Sequence, residues 1–342
     1  MGKNKKPYWE LNVSPFTFLD RVKIFIWLCR EKIWTQGEWV KKYEKRWSDY
    51  TKCPHVIAVS SGSTANELIA LKRKSELEEK GIWNNRKKVL FAANTWISNI
   101  SPWVNFGFDP VFIDPSLRNL CVSAQDINIA LQKDHNIGTV FYTSLLGYSE
   151  SIASLLEVCE RNNVKLMMDN CESSFSRQQR YYNSVGYVTN INNFVTSSTS
   201  AYFSHFTTSG TEMGLIFCQD QDEADWYKMA RNHGMTRGMP DKYKNPNVNS
   251  DFDFYLMGSN YRTSNLQAYM ALLDFDRALK FSLEQRIRIS DAFYSSLDFD
   301  KFETGVQFES VTDNGSHMIP LALPIVIKEK ANRPDLINKV KG

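Results

Sequence analysis

Short apolar runs alternate with amphipathic stretches through the middle of the chain. Residues 56–59 read Val-Ile-Ala-Val, the pattern of a buried strand, and a small-polar turn leads from them into a helical stretch at 63–79. The same pairing recurs, with strands at 89–92, 110–114, 138–142 and 164–168 and helices near Trp96 and at 123–133 and 152–161. A late strand at 214–218 precedes a helix at 223–232. Strands alternating with helices predict an α/β three-layer sandwich with a mostly parallel sheet.

The two ends break this rhythm. Residues 15–50 carry helical periodicity without a strand signal, and 236–262 form an irregular polar stretch rich in Asn, Asp and Lys. A second helical block at 264–298 precedes a strand-like run at 319–327. The chain thus divides into an N-terminal helical segment (1–50), a large domain (51–244) and a smaller C-terminal domain (245–342). Lys72, Arg73 and Lys74 with Glu76, Glu78 and Glu79 read as a solvated helix face of mixed ion pairs.

Composition narrows the function classes. Of 342 residues, 42% are hydrophobic and 23% charged, which excludes wholesale disorder. Lys plus Arg number 41 against 38 Asp plus Glu, so the +3 balance offers no electrostatic case for nucleic acid. The excess is aromatic, with 21 Phe, 15 Tyr and 9 Trp, which points to a well-filled core or an oligomer interface. Cysteines 29, 53, 121, 159, 171 and 218 include no CxxC pair, so free thiols in a reducing compartment are expected and a metal site is not. The apolar run at 319–327 is too short to span a bilayer and contains Pro320 and Pro324. These features predict a cytoplasmic protein with neither membrane nor nucleic acid as a partner.

Three segments carry candidate chemistry. Ser60-Ser61-Gly62-Ser63-Thr64-Ala65-Asn66 joins a strand to a helix start, which is either an anion site or a plain helix cap. Leu166-Met167-Met168-Asp169-Asn170-Cys171-Glu172 puts a carboxylate at the end of a buried strand, as a ligand-facing group or the cap of a turn. The stretch from Ser200 to Gly214 holds a single histidine, His205. Neither a GxGxxG nor a GxxxxGK[ST] pattern is present.

In their order and spacing these segments resemble the DegT/StrS-type sugar aminotransferases, from Gln36-Gly37-Glu38-Trp39-Val40 to Asn332-Arg333. The resemblance implies the aspartate aminotransferase-like fold type I of pyridoxal phosphate (PLP) enzymes. It assigns Gly62 and Ser63 to the cofactor phosphate and stacks Trp96, of Asn94-Thr95-Trp96, on the pyridine ring. It pairs Asp169 with the pyridinium nitrogen, sets Glu172 near the phenol oxygen and adds Ser200 to the phosphate. Arg231-Asn232-His233-Gly234 and Gly258-Ser259-Asn260-Tyr261-Arg262 match two further signatures. In the family, the asparagine matched by Asn260 reaches the neighbouring subunit's phosphate, which implies a homodimer.

One departure bears on the reaction. The family's lysine, which holds the cofactor covalently, falls on His205, and no lysine lies between Lys165 and Lys228. Phe203-Ser204-His205 together with Asp169-Asn170-Cys171-Glu172 is similar to the sugar 3-dehydratase branch. That likeness implies PLP or pyridoxamine phosphate bound without a covalent link and a nucleotide-linked 4-keto-6-deoxy sugar as substrate. It further implies glutamate as amino donor and His205 as the base. Cys171 matches an iron–sulfur ligand of one sub-branch, but no cysteine follows Cys218 to complete a cluster. A divergent aminotransferase and a non-catalytic cofactor- or nucleotide-sugar-binding protein remain open alternatives. Met213 stands where the family has glycine, removing one permissive turn position. Residues 338–342 read as the first turns of a helix, so the C-terminal domain is expected to be incomplete.

Overall fold

The period-2 alternation of the central strands explains why helices cover both of their faces. In β4 (Ile137–Thr143) Val140 and Tyr142 face one apolar cluster and Phe141 the other. In β5 (Lys165–Asp169) Leu166 and Met168 face the first and Met167 the second. The computed structural model describes residues 15–117, 120–182, 185–249, 251–296, 302–303 and 317–327.

The chain opens with α1 (Phe18–Arg30) and α2 (Glu38–Thr51), then runs through β1 (His55–Val59), α3 (Gly62–Glu79), the short α4 (Trp83–Arg86) and β2 (Lys88–Ala92). Next come α5 (Ser101–Asn105), β3 (Asp109–Ile113), α6 (Ala124–Lys133), β4, α7 (Ile152–Arg161) and β5. A hairpin of β6 (Arg177–Tyr182) and β7 (Val185–Asn190) leads to β8 (Ser197–Ser200), β9 (Gly214–Cys218) and α8 (Gln221–Ala230). After the irregular 231–264 stretch, α9 (Asn265–Arg277) continues through a π turn into α10 (Leu283–Ser296), and β10 (Phe302–Glu303) pairs with β11 (Val326–Ile327).

The main sheet has the order β1-β9-β8-β5-β4-β2-β3. Every pairing is parallel except those of β9, which runs antiparallel to β1 and β8. Helices α6 and α7 cover one face through Ile127, Leu131, Ile152 and Leu155. On the opposite face α3 and α8 place Leu68, Ile69 and Tyr227 against Ile57, Phe91 and Ile216. A third cluster joins α2 to α9 and the outer strands, where Trp47 lies 4.8 Å from Phe275 and 5.0 Å from Phe175. Much of the aromatic excess therefore fills this chain's own core.

The structure corrects several sequence expectations. Trp96 precedes a 3₁₀ turn (Ile97–Asn99), and the α-helix begins only at Ser101, with Pro102 at a position that needs no N–H donor. Hairpin β6–β7 and strand β8 carry too little apolar alternation to be seen in the sequence. Of the run at 319–327 only Val326 and Ile327 pair as strand. Arg73 does not face solvent: it is 7% exposed, donating from Nε to Thr139 Oγ1 (2.9 Å), from an Nη to the Gly138 carbonyl (2.9 Å) and to Glu76 (3.0 Å). Met213 is a fully buried core residue without positive φ, so the turn needs no glycine there. Asn332-Arg333 and the expected helix start at 338–342 lie outside the described residues.

Candidate active site

The carboxyl ends of parallel strands leave a crevice where ligands of α/β sheets bind. Here Thr143 ends β4, Asp169 ends β5 and Ser200 ends β8, while Ser61 caps the start of α3. Together they border a cavity of about 540 Å³. Gly62, Ser63, Trp96, Asp169, Glu172, Ser200 and His205 all line it. Asn260 does not: it is exposed, its Oδ1 accepting from Arg262 Nε at 2.9 Å.

The N-terminus of α3 is a capped helix start whose first N–H groups are available to an anion. Ser61 Oγ accepts from the Thr64 N–H (3.1 Å) and Thr64 Oγ1 from the Ser61 N–H (3.0 Å). This capping box occupies the flanking donors, while Gly62 and Ser63 carry N–H groups that a helix's first turn cannot satisfy internally. They face the cavity at the positive end of the helix dipole. A Cβ on Gly62 would meet Ser200 Cβ at 2.9 Å and Cys171 Sγ at 3.3 Å, so only glycine lets the helix start approach the β8 end this closely. Gly62→Ala should overpack this junction by about 1–3 kcal/mol, weakening binding of a phosphate-bearing ligand roughly ten- to hundredfold. Titration of the variant with PLP checks this, and unchanged affinity would rule Gly62 out of phosphate binding.

Asp169 is 5% exposed and its oxygens are fixed separately. Oδ1 accepts the Cys171 N–H at 2.8 Å, and Oδ2 accepts from Asn66 Nδ2 at 2.9 Å. Asn66 is itself locked, because Ser198 Oγ donates to its Oδ1 (2.5 Å) and its Nδ2 also donates to Asn99 Oδ1 (2.7 Å). Asn99 Nδ2 then donates to Thr95 Oγ1 (2.8 Å) and Thr143 Oγ1 (3.0 Å). The sequence reading missed Asn66, Asn99 and Thr143. Asn66 was legible in part, since it stands one turn beyond Gly62 on the same helix face.

His205 lines the cavity from the turn after β8. Its Nδ1 lies 3.1 Å from the Cys171 carbonyl oxygen. A carbonyl only accepts, so Nδ1 carries the proton and Nε2 keeps its lone pair. Burial pushes the His205 pKa below its ordinary 6.5, outweighing the opposite pull of the Asp169 charge and of the Cys171 and Ser200 backbone. Glu172 moves the other way. Burial raises its carboxyl, against the Leu146 N–H donated to Oε2 at 2.8 Å and with help from the Asp169 charge. The Cys171 thiol is likewise pushed well up by burial and by Asp169, so it stays protonated. Among the described residues no lysine lines the cavity. Among the described residues no cluster of His, Cys, Asp and Glu is arranged to hold a metal ion.

The cavity residues fit a phosphorylated pyridine cofactor. Gly62, Ser63 and Ser200 bring N–H and hydroxyl donors suited to a phosphate, an immobilised carboxylate stands at Asp169, and Trp96 offers an aromatic flank that is 73% exposed. The profile of the DegT/DnrJ/EryC1/StrS aminotransferase family matches residues 20–342. A GDP-4-keto-6-deoxy-D-mannose 3-dehydratase of Yersinia pseudotuberculosis is 25% identical over 272 residues, 76% of this chain and 65% of that protein. A GDP-perosamine synthase of Caulobacter vibrioides is 23% identical over 252 residues, 73% of this chain and 60% of that protein. The chain thus spans under two thirds of either relative. The structure of the E. coli GDP-4-keto-6-deoxy-D-mannose-3-dehydratase with bound hydrated PLP superposes with a TM-score of 0.80 at 21% identity, covering 97% of this chain and 82% of that one.

Proposed function

The chain belongs to the DegT/DnrJ/EryC1/StrS aminotransferase family and has the type I PLP fold, and from that premise we propose that it is a nucleotide-sugar 3-dehydratase working with PLP or pyridoxamine phosphate held non-covalently. The observation that carries this reading is His205 in the cavity wall, with Nδ1 tied to the Cys171 carbonyl, where no lysine among the described residues is available. Similarity to the Yersinia dehydratase supports the substrate class, a nucleotide-linked 4-keto-6-deoxy sugar, and a structural relative, a GDP-4-keto-6-deoxymannose-3-dehydratase with a trapped PLP-glutamate geminal diamine, supports glutamate as amino donor.

The cofactor, when bound, supplies an electron-withdrawing ring that makes a proton on its exocyclic carbon acidic. Gly62 and Ser63 N–H groups and the Ser200 hydroxyl would hold the phosphate. Asp169, kept in place by Asn66 and the Cys171 N–H, would offer a carboxylate to the ring nitrogen. Trp96 would flank the ring. Glu172, anchored by the Leu146 N–H, would meet the ring's polar substituent. Neutral His205, its Nδ1 engaged by the Cys171 carbonyl, would accept that proton at Nε2 and pass it to the leaving hydroxyl, which departs as water.

Borohydride treatment of the PLP-loaded protein should leave the peptide mass unchanged. Glutamate should convert PLP to pyridoxamine phosphate, and GDP-4-keto-6-deoxymannose should then give a 3-deoxy product. A reduced lysine adduct in the peptide map would overturn the non-covalent reading. Conversion by glutamate with transfer of the amine to the sugar would mark an aminotransferase instead.

The working unit in this proposal is a homodimer in which Asn260, exposed and outside its own cavity, serves the partner's phosphate. Mixing inactive Asn260→Ala chains with inactive His205→Asn chains should restore part of the activity, because one site per heterodimer regains both residues. Heterodimers that form and stay inactive would exclude this role.

A further inference from the structure

Helix α1 is fixed to the protein along one side only. Its capping box joins Thr17 to Asp20, Asp20 pairs with Arg277 of α9, and Trp27 stacks on Tyr269 at 5.5 Å. The opposite side carries Phe18, Leu19, Val22, Phe25 and Ile26, all exposed, with Phe18 at 78% and Phe25 at 66%. At about 100° per residue these positions form one apolar arc of roughly 120°. Lys23 and Arg30 stand at one edge of that arc and Arg21 at the other.

The charges are one-sided as well. Arg21, Lys23, Arg30 and Lys32 are exposed, whereas both acids of the segment are engaged. Asp20 is buried against Arg277, and Glu31 accepts the Trp39 indole N–H (2.8 Å) and the backbone N–H groups of Lys32 and Ile33 (3.0 Å each). In the sequence, the residues before α1 add Lys3, Lys5 and Lys6 against one acid, Glu10. An exposed apolar stripe edged by basic side chains is complementary to a surface that is apolar inside and anionic outside. A helix of 13 residues is about 20 Å long, too short for a hydrocarbon core of about 30 Å. No helix among the described residues is long and apolar enough to cross a membrane.

We propose that α1 is a membrane-surface docking helix whose apolar stripe and flanking basic residues lie against a bilayer with anionic headgroups. The lack of a spanning segment among the described residues does not bear on this role, because such a helix lies in the interface. Basic residues add to the apolar contact because a short amphipathic helix binds weakly by insertion alone.

The test is co-sedimentation of the full chain with vesicles of phosphatidylglycerol mixed with phosphatidylcholine, beside vesicles of phosphatidylcholine alone. The chain should pellet with the anionic vesicles, and less so as salt rises. Lys23→Gln with Arg30→Gln should lower the partition coefficient about 30-fold, from about 1 kcal/mol per basic side chain near an anionic surface. Phe25→Ser with Ile26→Ser should abolish pelleting while circular dichroism stays unchanged and Tm moves little, because Phe25 is 66% and Ile26 43% exposed. Absence of binding to anionic vesicles would overturn the proposal, as would equal binding to both compositions. A Phe25→Ser, Ile26→Ser variant that turns a dimer into a monomer, with no vesicle binding by the parent chain, would assign the face to a second copy instead.

Discussion

His205→Asn should lower single-turnover dehydration by about 10²-fold or more while cofactor binding persists. Asparagine can still donate an N–H to the Cys171 carbonyl, so the local geometry survives. What it lacks is a basic nitrogen in place of Nε2. The wild-type rate should fall with acid through a pKa below 6.5, because imidazolium has no lone pair to accept the proton. That limb should be missing from the variant's residual activity. The linkage to stability has the same direction. The folded state binds this proton less readily than the unfolded chain, so the contribution of His205 is level above about 6.5 and declines as pH falls through the folded pKa. Wild-type dehydration by His205→Asn would reassign the base.

Asp169→Asn should weaken cofactor binding roughly 10- to 100-fold, from the approximately 1.5–3 kcal/mol of a hydrogen bond to a charged group. Two effects act together. A neutral amide cannot stabilise a protonated ring nitrogen, and it offers only one acceptor where the carboxylate offers two. The Cys171 N–H and Asn66 Nδ2 both donate to this side chain, so either amide orientation sets a donor against a donor. Some loss of stability accompanies the loss of affinity. Cofactor affinity and absorption separate the two roles, because a purely structural carboxylate would lower Tm and leave both unchanged.

Among the homologous functions, the choice turns on how the cavity handles one proton. Gly62, Ser63, Ser200 and Asp169 would suit either an aminotransferase or a dehydratase, since both need a held phosphate and an acidic partner for the ring. His205 makes the difference, because an imidazole can move a proton but cannot anchor the cofactor. The Cys171 thiol, pushed well up by burial and by Asp169, adds no negative charge beside that imidazole.

The alternation of strands and helices was legible because each buried strand needs apolar side chains on both faces, which local composition records. Asp169 could be placed at a strand's carboxyl end, and the lack of a lysine between Lys165 and Lys228 needed no structure. Strand β8 was not legible. Its Ser-Ser-Thr-Ser sequence has no apolar alternation, and it is strand because β5 and β9 pair with it on either side. Arg73 looked solvated until its register placed it beside Thr139 and Gly138. The lock on Asp169 joins residues 66, 99, 143, 169 and 198 from separate elements, so only the packing of α3 against the strand ends brings them together. The tautomer of His205 and the unpartnered side of α1 belong to the same class. Periodicity along a chain reports which face of an element is apolar, whereas what that face meets is decided by tertiary contacts between distant segments.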